Sequence, residues 1–501
     1  MHPALDFDVQ QQPPGHGEAL MQDLELGTLL RTMARDDDFL LLVARQALLS
    51  APQNDIDTIL YRQAILRDCL NNPDTTRALY DLATEASDGR KKHSFGVYSR
   101  YPRSIVYEAS DALRMVMVML RKLRDIAAAQ SSGFAAAGVR TLFTMLQREL
   151  SDAYLASMQD HLTQLEFRRG VLLSAALGEG NQGTDYVLHV APDKSLHWLR
   201  RLLGTKPSRY TFRIADRDQA GMRALSEMRD RGIHLVANAL AQSTEHILGF
   251  FAMLRTELAF YVGCLNLHET LTAMGAPTCV PQPATANTRT LHFSGLQDVC
   301  LALTLQRRVV SNTVAADGKH LVIITGANQG GKSSFLRSVG VAQLMMQCGM
   351  FVAAESFAAE CCAGLFTHYK REEDATMRSG KLDEELGRMS AIVDGIVPNA
   401  MLLCNESFAS TNEREGAEIA RQVVSALIAR SIKVLFVTHL YDFAHSFFDA
   451  GTQDAMFLRA ERRSDGTRTF KLVEGEPLET SYGRDLYREV FGGGPVARGG
   501  S

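Results

Sequence analysis

Along this chain the spacing of apolar positions changes period twice. From about Met21 to Gln130 apolar residues recur every three or four positions, the repeat of helices that each bury one face. "DIDTILYRQAILRDCL" and "DALRMVMVMLRKLRDI" show it best, and Asn54-Asp55 supplies the side-chain oxygens that open a helix. The polar "DGRKKHSFGVYSRYPRS" reads as a connection between helices. Val139, Leu142, Leu146, Leu150, Tyr154, Met158, Leu162 and Leu165 then carry the same repeat, which predicts one long amphipathic helix from Ser131 to Phe167, packed on a neighbour. Next the period shortens. "VLLSAALGEGNQGTDYVLHVAP" and "SRYTFRIAD" hold strand-like runs around a Gly-Asn-rich turn. A second long helical pattern runs from Asp218 to about Met274, and the proline-interrupted "MGAPTCVPQPATANT" ends it at a domain boundary. From about Thr290 short apolar runs alternate with helical stretches, as in an α/β domain.

The expected organisation is a disordered tail over 1–20, a helical core over 21–130, and a region of long helices with a small β element and a basic segment over 131–285. An α/β domain over 286–490 and a flexible tail over 491–501 follow. A chain of 501 residues is too long for one ordinary core, which agrees with this division. At 46% hydrophobic and 22% charged residues the composition is that of a globular protein. The net charge of −4 gives no global nucleic-acid signal, so any such surface has to be local. One candidate exists: Lys194, Arg200, Arg201, Lys206, Arg209, Arg213 and Arg217 cluster with few acids between them, around Trp198. The cluster fits a nucleic-acid contact and, equally, a solvated basic face. No apolar run looks long enough to span a bilayer, and the first residues lack the basic and apolar regions of a secretory signal. The eight cysteines show no disulfide framework, with Cys361 and Cys362 adjacent, so reduced thiols and a cytoplasmic location are expected.

The sharpest chemical signal is "LVIITGANQGGKSSFLRSVGVAQLMMQCG". It contains G-x-x-x-x-G-K-S from Gly326 to Ser333, with an apolar strand (Leu321 to Thr325) before it and a helix after it that ends near Gly349. Glycines let the backbone curl its N–H groups toward phosphates, and the helix N-terminus adds positive potential. In such a loop Lys332 reaches the β- and γ-phosphates and the Ser333 hydroxyl ligates Mg²⁺. Further on, "AMLLCNESFAS" is a buried strand running into Asn405 and Glu406, where a nucleotide-hydrolysing enzyme would show Asp-Glu. Glu406 is placed to polarise an attacking water, though alone it would fit a solvated strand-end carboxylate. "IKVLFVTHL" is a third apolar strand, ending in Thr438-His439; His439 taken alone fits a structural role better than a catalytic one.

With these three pieces in place the C-terminal third resembles the MutS family, the DNA mismatch-repair ATPases and their relatives. Their loop reads G-P-N-M-G-G-K-S-T; here Gly326, Ala327, Asn328, Gln329, Gly330, Gly331, Lys332, Ser333 and Ser334 stand in its place. The resemblance puts Asn328 near the γ-phosphate and Asn312, within "VVSNTV", beside the nucleotide. Val309 or Val310 replaces the aromatic residue that stacks on adenine. "GMFVAAE" is similar to the strand after the loop helix. "NESFASTNEREG" keeps Glu406, Thr411 and Gly416, "FVTHLYDF" the Thr-His pair, and "FKLVEGEPLETSYGRDL" the late strand and turn at Tyr482-Gly483. In the family two ATPase domains complete each other's sites with a Ser-Gly signature. "MRSGKLDEELGRMSAIV" occupies that place, so Ser379 is expected to reach the opposite nucleotide in trans, although a plain helix cap also accounts for it. More loosely, Ile59, Arg62 and Gln63 match a helical core segment, and the long helices resemble shortened lever arms.

The resemblance therefore implies an α/β P-loop ATPase domain of ABC/MutS type at the C-terminus, preceded by a mostly helical core and lever region with a small β element. ATP and Mg²⁺ are the implied cofactors, with Ser333, Glu406 and, through a water, Asn405 around the metal. Lys332, Glu406 and His439 are the implied catalytic set. DNA, contacted through Arg200, Arg201, Lys206, Arg209 and Arg213, and a second copy of the chain are the implied partners. Too few residues precede the core for a mismatch-reading domain, and no Phe-x-Glu wedge occurs, so direct mismatch reading is not expected. Asn405 keeps the carbonyl oxygen of the family's Asp and loses a charge, a change that typically costs on the order of 10–100-fold in metal affinity or activity. With Lys332, Ser333, Glu406 and His439 all present, the site reads as a slow ATPase. The alternative is a nucleotide-binding scaffold with little hydrolysis, acting on protein or RNA–protein partners.

Overall fold

The computed structural model describes residues 5–92, 101–168, 170–189, 213–371, 380–463 and 467–478. They form two compact units, one of Asp74–Leu258 and one joining Met1–Pro73 to Ala259–Ser501.

The Asp74–Leu258 unit is a helical bundle around Leu79, Leu82, Val116, Leu120, Leu123, Phe143, Leu146, Phe251 and Leu254. A hairpin of β1 (Leu172–Leu177) and β2 (Gly183–His189) fulfils the first of the two strand-like readings. The long helix expected over Ser131–Phe167 is two helices, Ala137–Glu149 and Asp152–Gln164. Leu150 leaves helical geometry, and the Ser151 hydroxyl accepts from the Tyr154 N–H to start the second helix. An unbroken apolar stripe hid that cap, because both helices keep the same face inward. Of the basic cluster only Arg213 and Arg217 are described, both exposed; Lys194, Trp198, Arg200, Arg201, Lys206 and Arg209 lie outside the described residues.

One helix, Gln219–Ala273, holds an 18-residue window of mean hydropathy 1.4, enough by length and composition alone to cross a membrane. This corrects the expectation that no run is that apolar. Half of that window is buried inside the protein, as in a core helix of a globular protein: along the helix Leu248, Phe251 and Leu254 belong to the bundle core, and Phe260, Cys264, Leu267 and Leu271 are also buried.

The other unit holds two sheets. The smaller has the order β3 (Gln282–Ala284), β7 (Ser356–Glu360), β4 (Leu291–Leu296), β5 (Asn312–Ala315). "GMFVAAE" contributes an isolated bridge, Val352 to Cys279, and the regular strand begins only at Ser356. The larger sheet runs β12 (Arg468–Glu474), β11 (Ala455–Arg462), β6 (Leu321–Thr325), β10 (Lys433–Val437), β9 (Met401–Asn405), β8 (Leu365–Tyr369). Its strands are parallel except β12. β6 and β10 are buried at every position, as strands covered on both faces should be, and the buried Lys433 at the start of β10 pairs with Glu360 at 2.8 Å. Helices Lys381–Gly395, Glu413–Ala429 and Tyr441–Asp449 pack one core with Phe366, Met389, Leu402, Val424, Phe436 and Phe443.

The helix after the glycine-rich loop, Lys332–Gln347, packs on β9 and β10 and is buried along nearly its whole length. Its cover comes from the beginning of the chain: a Cβ added at Gly340 would meet Leu403 at 2.5 Å and Leu24 at 2.9 Å. This corrects the expectation of a disordered tail over 1–20. Gly17–Asp23 is helical, Leu20 is buried, and the His16 ring stacks on Phe366 at 4.1 Å. The polar, proline-containing "QQQPPGHG" masked a helix whose buried contacts lie far away in sequence. The helices up to Asn71 accordingly belong with the α/β unit, whereas periodicity had grouped them with the helices after Pro73. None of the eight cysteines forms a disulfide.

The C-terminal end of the loop helix is clasped by the segment that matched only loosely in sequence. Asn54 Nδ2 donates to the Gln347 carbonyl at 2.8 Å, and Arg62 Nη1 to the Cys348 carbonyl at 3.3 Å. Both groups answer carbonyls that the helix cannot satisfy itself, and the guanidinium also faces the negative end of its dipole. Gly349 closes the helix at φ +83°, where an added Cβ would lie 2.4 Å from the Arg62 Cβ. Gly349→Ala is therefore expected to destabilise the protein by about 2 kcal/mol or more, seen as a lower urea midpoint with unchanged slope.

Candidate active site

Strand register assembles the site. Val437 pairs with both Ile324 and Asn405, so β6, β9 and β10 end level with one another. The Thr438 N–H donates to the Ile324 carbonyl at 3.0 Å, the Glu406 N–H to the Val437 carbonyl at 2.8 Å, and the Lys370 N–H to the Asn405 carbonyl at 3.0 Å. The loop, the Asn405-Glu406 pair and His439 thus emerge at one carboxyl edge of a parallel sheet, where such sheets place their ligand sites.

In the loop, Gly326 (φ +121°) and Gly331 (φ +89°) take backbone conformations that favour glycine. Space requires them too. A Cβ at Gly326 would meet Ala460 at 2.8 Å, one at Gly330 would meet Ala460 at 2.7 Å, and one at Gly331 would meet the Phe470 carbonyl oxygen at 3.1 Å. Gln329, also left-handed at φ +59°, accepts from Arg468 at 2.6 Å. β11 and β12 therefore form the floor of the loop. Sequence reasoning passed over Ala460 and Arg468, and took "FKLVEGEPLETSYGRDL" as a late strand without placing its Phe470 against the loop. Asn328 is exposed, and Ser334 is half-buried.

Lys332 is buried, and its ammonium donates to the Gly326 and Ala327 carbonyls at 2.8 and 3.0 Å, with His439 Nε2 at 3.4 Å. Burial pulls it down to about 8, an effect the Glu406 charge partly offsets. His439 Nε2 is closer to Glu406 Oε1, at 2.9 Å. An ammonium can only donate and a carboxylate can only accept, so the shorter contact makes Nε2–H a donor to Glu406. That bond, with the charges of Lys332 and Lys370 nearby, holds the Glu406 carboxyl below its usual range against its partial burial. Glu406 is thus ionised at neutral pH and retains its second oxygen for another donor. Ser333 Oγ donates to Asn405 Oδ1 at 3.1 Å, which brings two neutral oxygens together beside the Glu406 carboxylate. This oxygen set and the glycine-lined cradle fit a triphosphate with a hard divalent cation.

Asn312, expected beside the nucleotide, is buried, and its Oδ1 accepts the Leu472 N–H at 2.8 Å, which ties β5 to β12 behind the loop. Gly416 lies under the strand end: a Cβ there would be 2.4 Å from the Phe408 carbonyl oxygen. Ser379, Tyr482 and Gly483 lie outside the described residues, and Gly380 takes the N-cap position of helix Lys381–Gly395.

Two family models match the chain, the MutS2 N-terminal domain over residues 54–274 and MutS domain V over residues 322–490. Among similar proteins, the mouse "MutS protein homolog 4" is 27% identical over 38% of this chain and 20% of its own length. The "DNA mismatch repair protein MutS" of Thermotoga neapolitana is 32% identical over 34% of this chain and 21% of its own length. The "Endonuclease MutS2" of Thermus thermophilus is 30% identical over 26% of this chain and 18% of its own length. The chain thus matches about a fifth of the length of these curated relatives.

The floor of the loop can be tested without any ligand. Ala460→Val is expected to push Gly326 and Gly330 out of place while leaving the rest of the sheet intact. Amide exchange over residues 326–331 should rise at least about tenfold, with the thermal midpoint held within a few degrees.

Proposed function

The chain belongs to the MutS family, and from that premise we propose that it binds Mg-ATP in the loop Gly326–Ser334 and hydrolyses it slowly. The observation that carries the reading is the Lys332–His439–Glu406 array, built from three strand ends in register. Loop N–H groups and Lys332 would hold the phosphates, with Asn328 near the γ-phosphate. Lys332 would exchange its present carbonyl partners for phosphate oxygens. Ser333 and, through a water, Asn405 would hold Mg²⁺ beside Glu406. When bound, the ion neutralises charge on the phosphate oxygens. Glu406, kept ionised by its His439 bond, accepts a proton from the attacking water, and His439 keeps the carboxylate aimed.

Asn405 is a neutral oxygen donor where the family has Asp, which supports slow turnover and a high Mg²⁺ requirement rather than a dead site. The name "DNA mismatch repair protein MutS" among the relatives supports DNA as the object of the cycle, in repair or recombination. The lack of a Phe-x-Glu wedge in the sequence favours a duplex or branched substrate over a mismatch as such. In this reading two copies pair through their ATPase domains, Ser379 reaches the opposite nucleotide, and Arg200, Arg201, Lys206, Arg209 and Arg213 meet the phosphate backbone. The protein works in the cytoplasm.

Phosphate release by the purified chain should require Mg²⁺ and should fall at least about a hundredfold in Glu406→Gln, which removes the base while leaving ATP binding in place. Asn405→Asp should lower the Mg²⁺ concentration for half-maximal rate by roughly tenfold or more. A wild-type chain that binds ATP tightly yet releases no phosphate would favour the scaffold reading; one that neither binds nor cleaves ATP would end both.

A further inference from the structure

The turn that carries Glu406 is held in a costly conformation. Glu406 and Phe408 both have positive φ, +55° and +63°, which non-glycine residues keep only when their surroundings impose it. Two buried side chains impose it here. On helix Lys381–Gly395, Glu385 is 2% exposed, and its Oε1 accepts the Phe408 N–H at 2.6 Å. On β8, His368 is fully buried, with Nε2 3.1 Å from the Glu385 carbonyl oxygen and Nδ1 2.7 Å from Ser407 Oγ. Burial pushes this imidazole down to about 4, so it is neutral at physiological pH. A carbonyl can only accept, so Nε2 carries the proton and the Ser407 hydroxyl donates to Nδ1. The same hydroxyl proton is shared with the His368 carbonyl oxygen, 2.8 Å from Ser407 Oγ, a second tie between the turn and β8. The same helix is thereby tied to the turn at Ser407 and at Phe408, the two residues that follow Glu406.

Glu385 is a poor choice if stability alone is at stake. Its Oε2 is buried with no hydrogen-bond partner among the described residues, and a buried carboxylate oxygen without a donor is costly. An apolar side chain of similar length would fill the space without that cost. The gain from a carboxylate lies in the one backbone N–H it orients.

We propose that Glu385 is a positioning residue for Glu406: by holding the Phe408 amide it fixes the left-handed turn that aims the Glu406 carboxylate at His439 and the water. Helix Lys381–Gly395 thereby sets the rate of the site without touching nucleotide through this residue. The inference rests on the ATPase reading above and adds a control point to it.

The test compares Glu385→Met and Glu385→Gln in the full chain. Glu385→Gln keeps an acceptor oxygen and should stay within about threefold of wild-type kcat. Glu385→Met should lose about tenfold to a hundredfold in kcat, the scale of a misplaced catalytic group. KM for ATP and the affinity for a fluorescent ATP analogue should change less than about twofold, while amide exchange over residues 405–412 rises and the thermal midpoint moves only a few degrees. If Glu385→Met does not fold, Glu385→Asp, one methylene too short to reach, carries the same expectation. Wild-type turnover that Glu385→Met retains, or a kcat loss that comes with equal loss of nucleotide affinity, overturns the inference and leaves the ATPase reading standing. A wild-type chain that releases no phosphate overturns the ATPase reading, and the inference falls with it.

Discussion

Everything at the site depends on the parallel pairing of β6, β10 and β9 in one register. Backbone hydrogen bonds between Thr438 and Ile324, and between Glu406 and Val437, carry the alignment past the last strand residues. Because a shift of one residue turns every side chain to the opposite face, that register is strongly imposed by the buried faces of these strands. Lys332, Glu406 and His439 meet within hydrogen-bonding reach because three apolar strands pack with their ends level, and no residue of the site has to bring the others together by itself.

The loop helix carries this order away from the site. Its N-terminus follows the glycines, its flank lies against Leu24 and Leu403, and its C-terminus is held by Asn54 and Arg62. Phe260 lies beneath the same guanidinium, with its ring centroid 6.0 Å away. Arg62 lies on helix Ile56–Asn71, which ends at Asn72. The clasp on the loop helix gives a physical meaning to Ile59, Arg62 and Gln63: all are buried, and Gln63 also donates to the Pro281 carbonyl at 3.0 Å.

Asn405 takes its meaning from its neighbours. Its oxygen accepts from Ser333, so it occupies the geometry of an acidic residue without the charge, while the charged member of the pair, Glu406, is the one tied to His439. Charge and geometry are thus divided between two adjacent residues. Behind them, Glu385, His368 and Ser407 tie the turn to a helix and a neighbouring strand, so the site rests on buried polar contacts as well as on the sheet.

The sequence by itself determined the local chemistry. The glycine-rich loop, its Lys-Ser pair, the apolar strands running into Asn405-Glu406 and Thr438-His439, and the cap at Asp55 are short-range patterns whose physics acts over a few residues, and the structure places each where the pattern said. Tertiary structure decided what depends on distant partners. It broke the stripe of Ser131–Phe167 at Ser151, stacked His16 on Phe366, and gave the helices before Pro73 to the α/β unit. It also brought Ala460 beneath the loop and Glu385 behind Glu406. Periodicity states that a helix or strand has a buried face; which surface covers that face is settled only when residues hundreds of positions apart pack together.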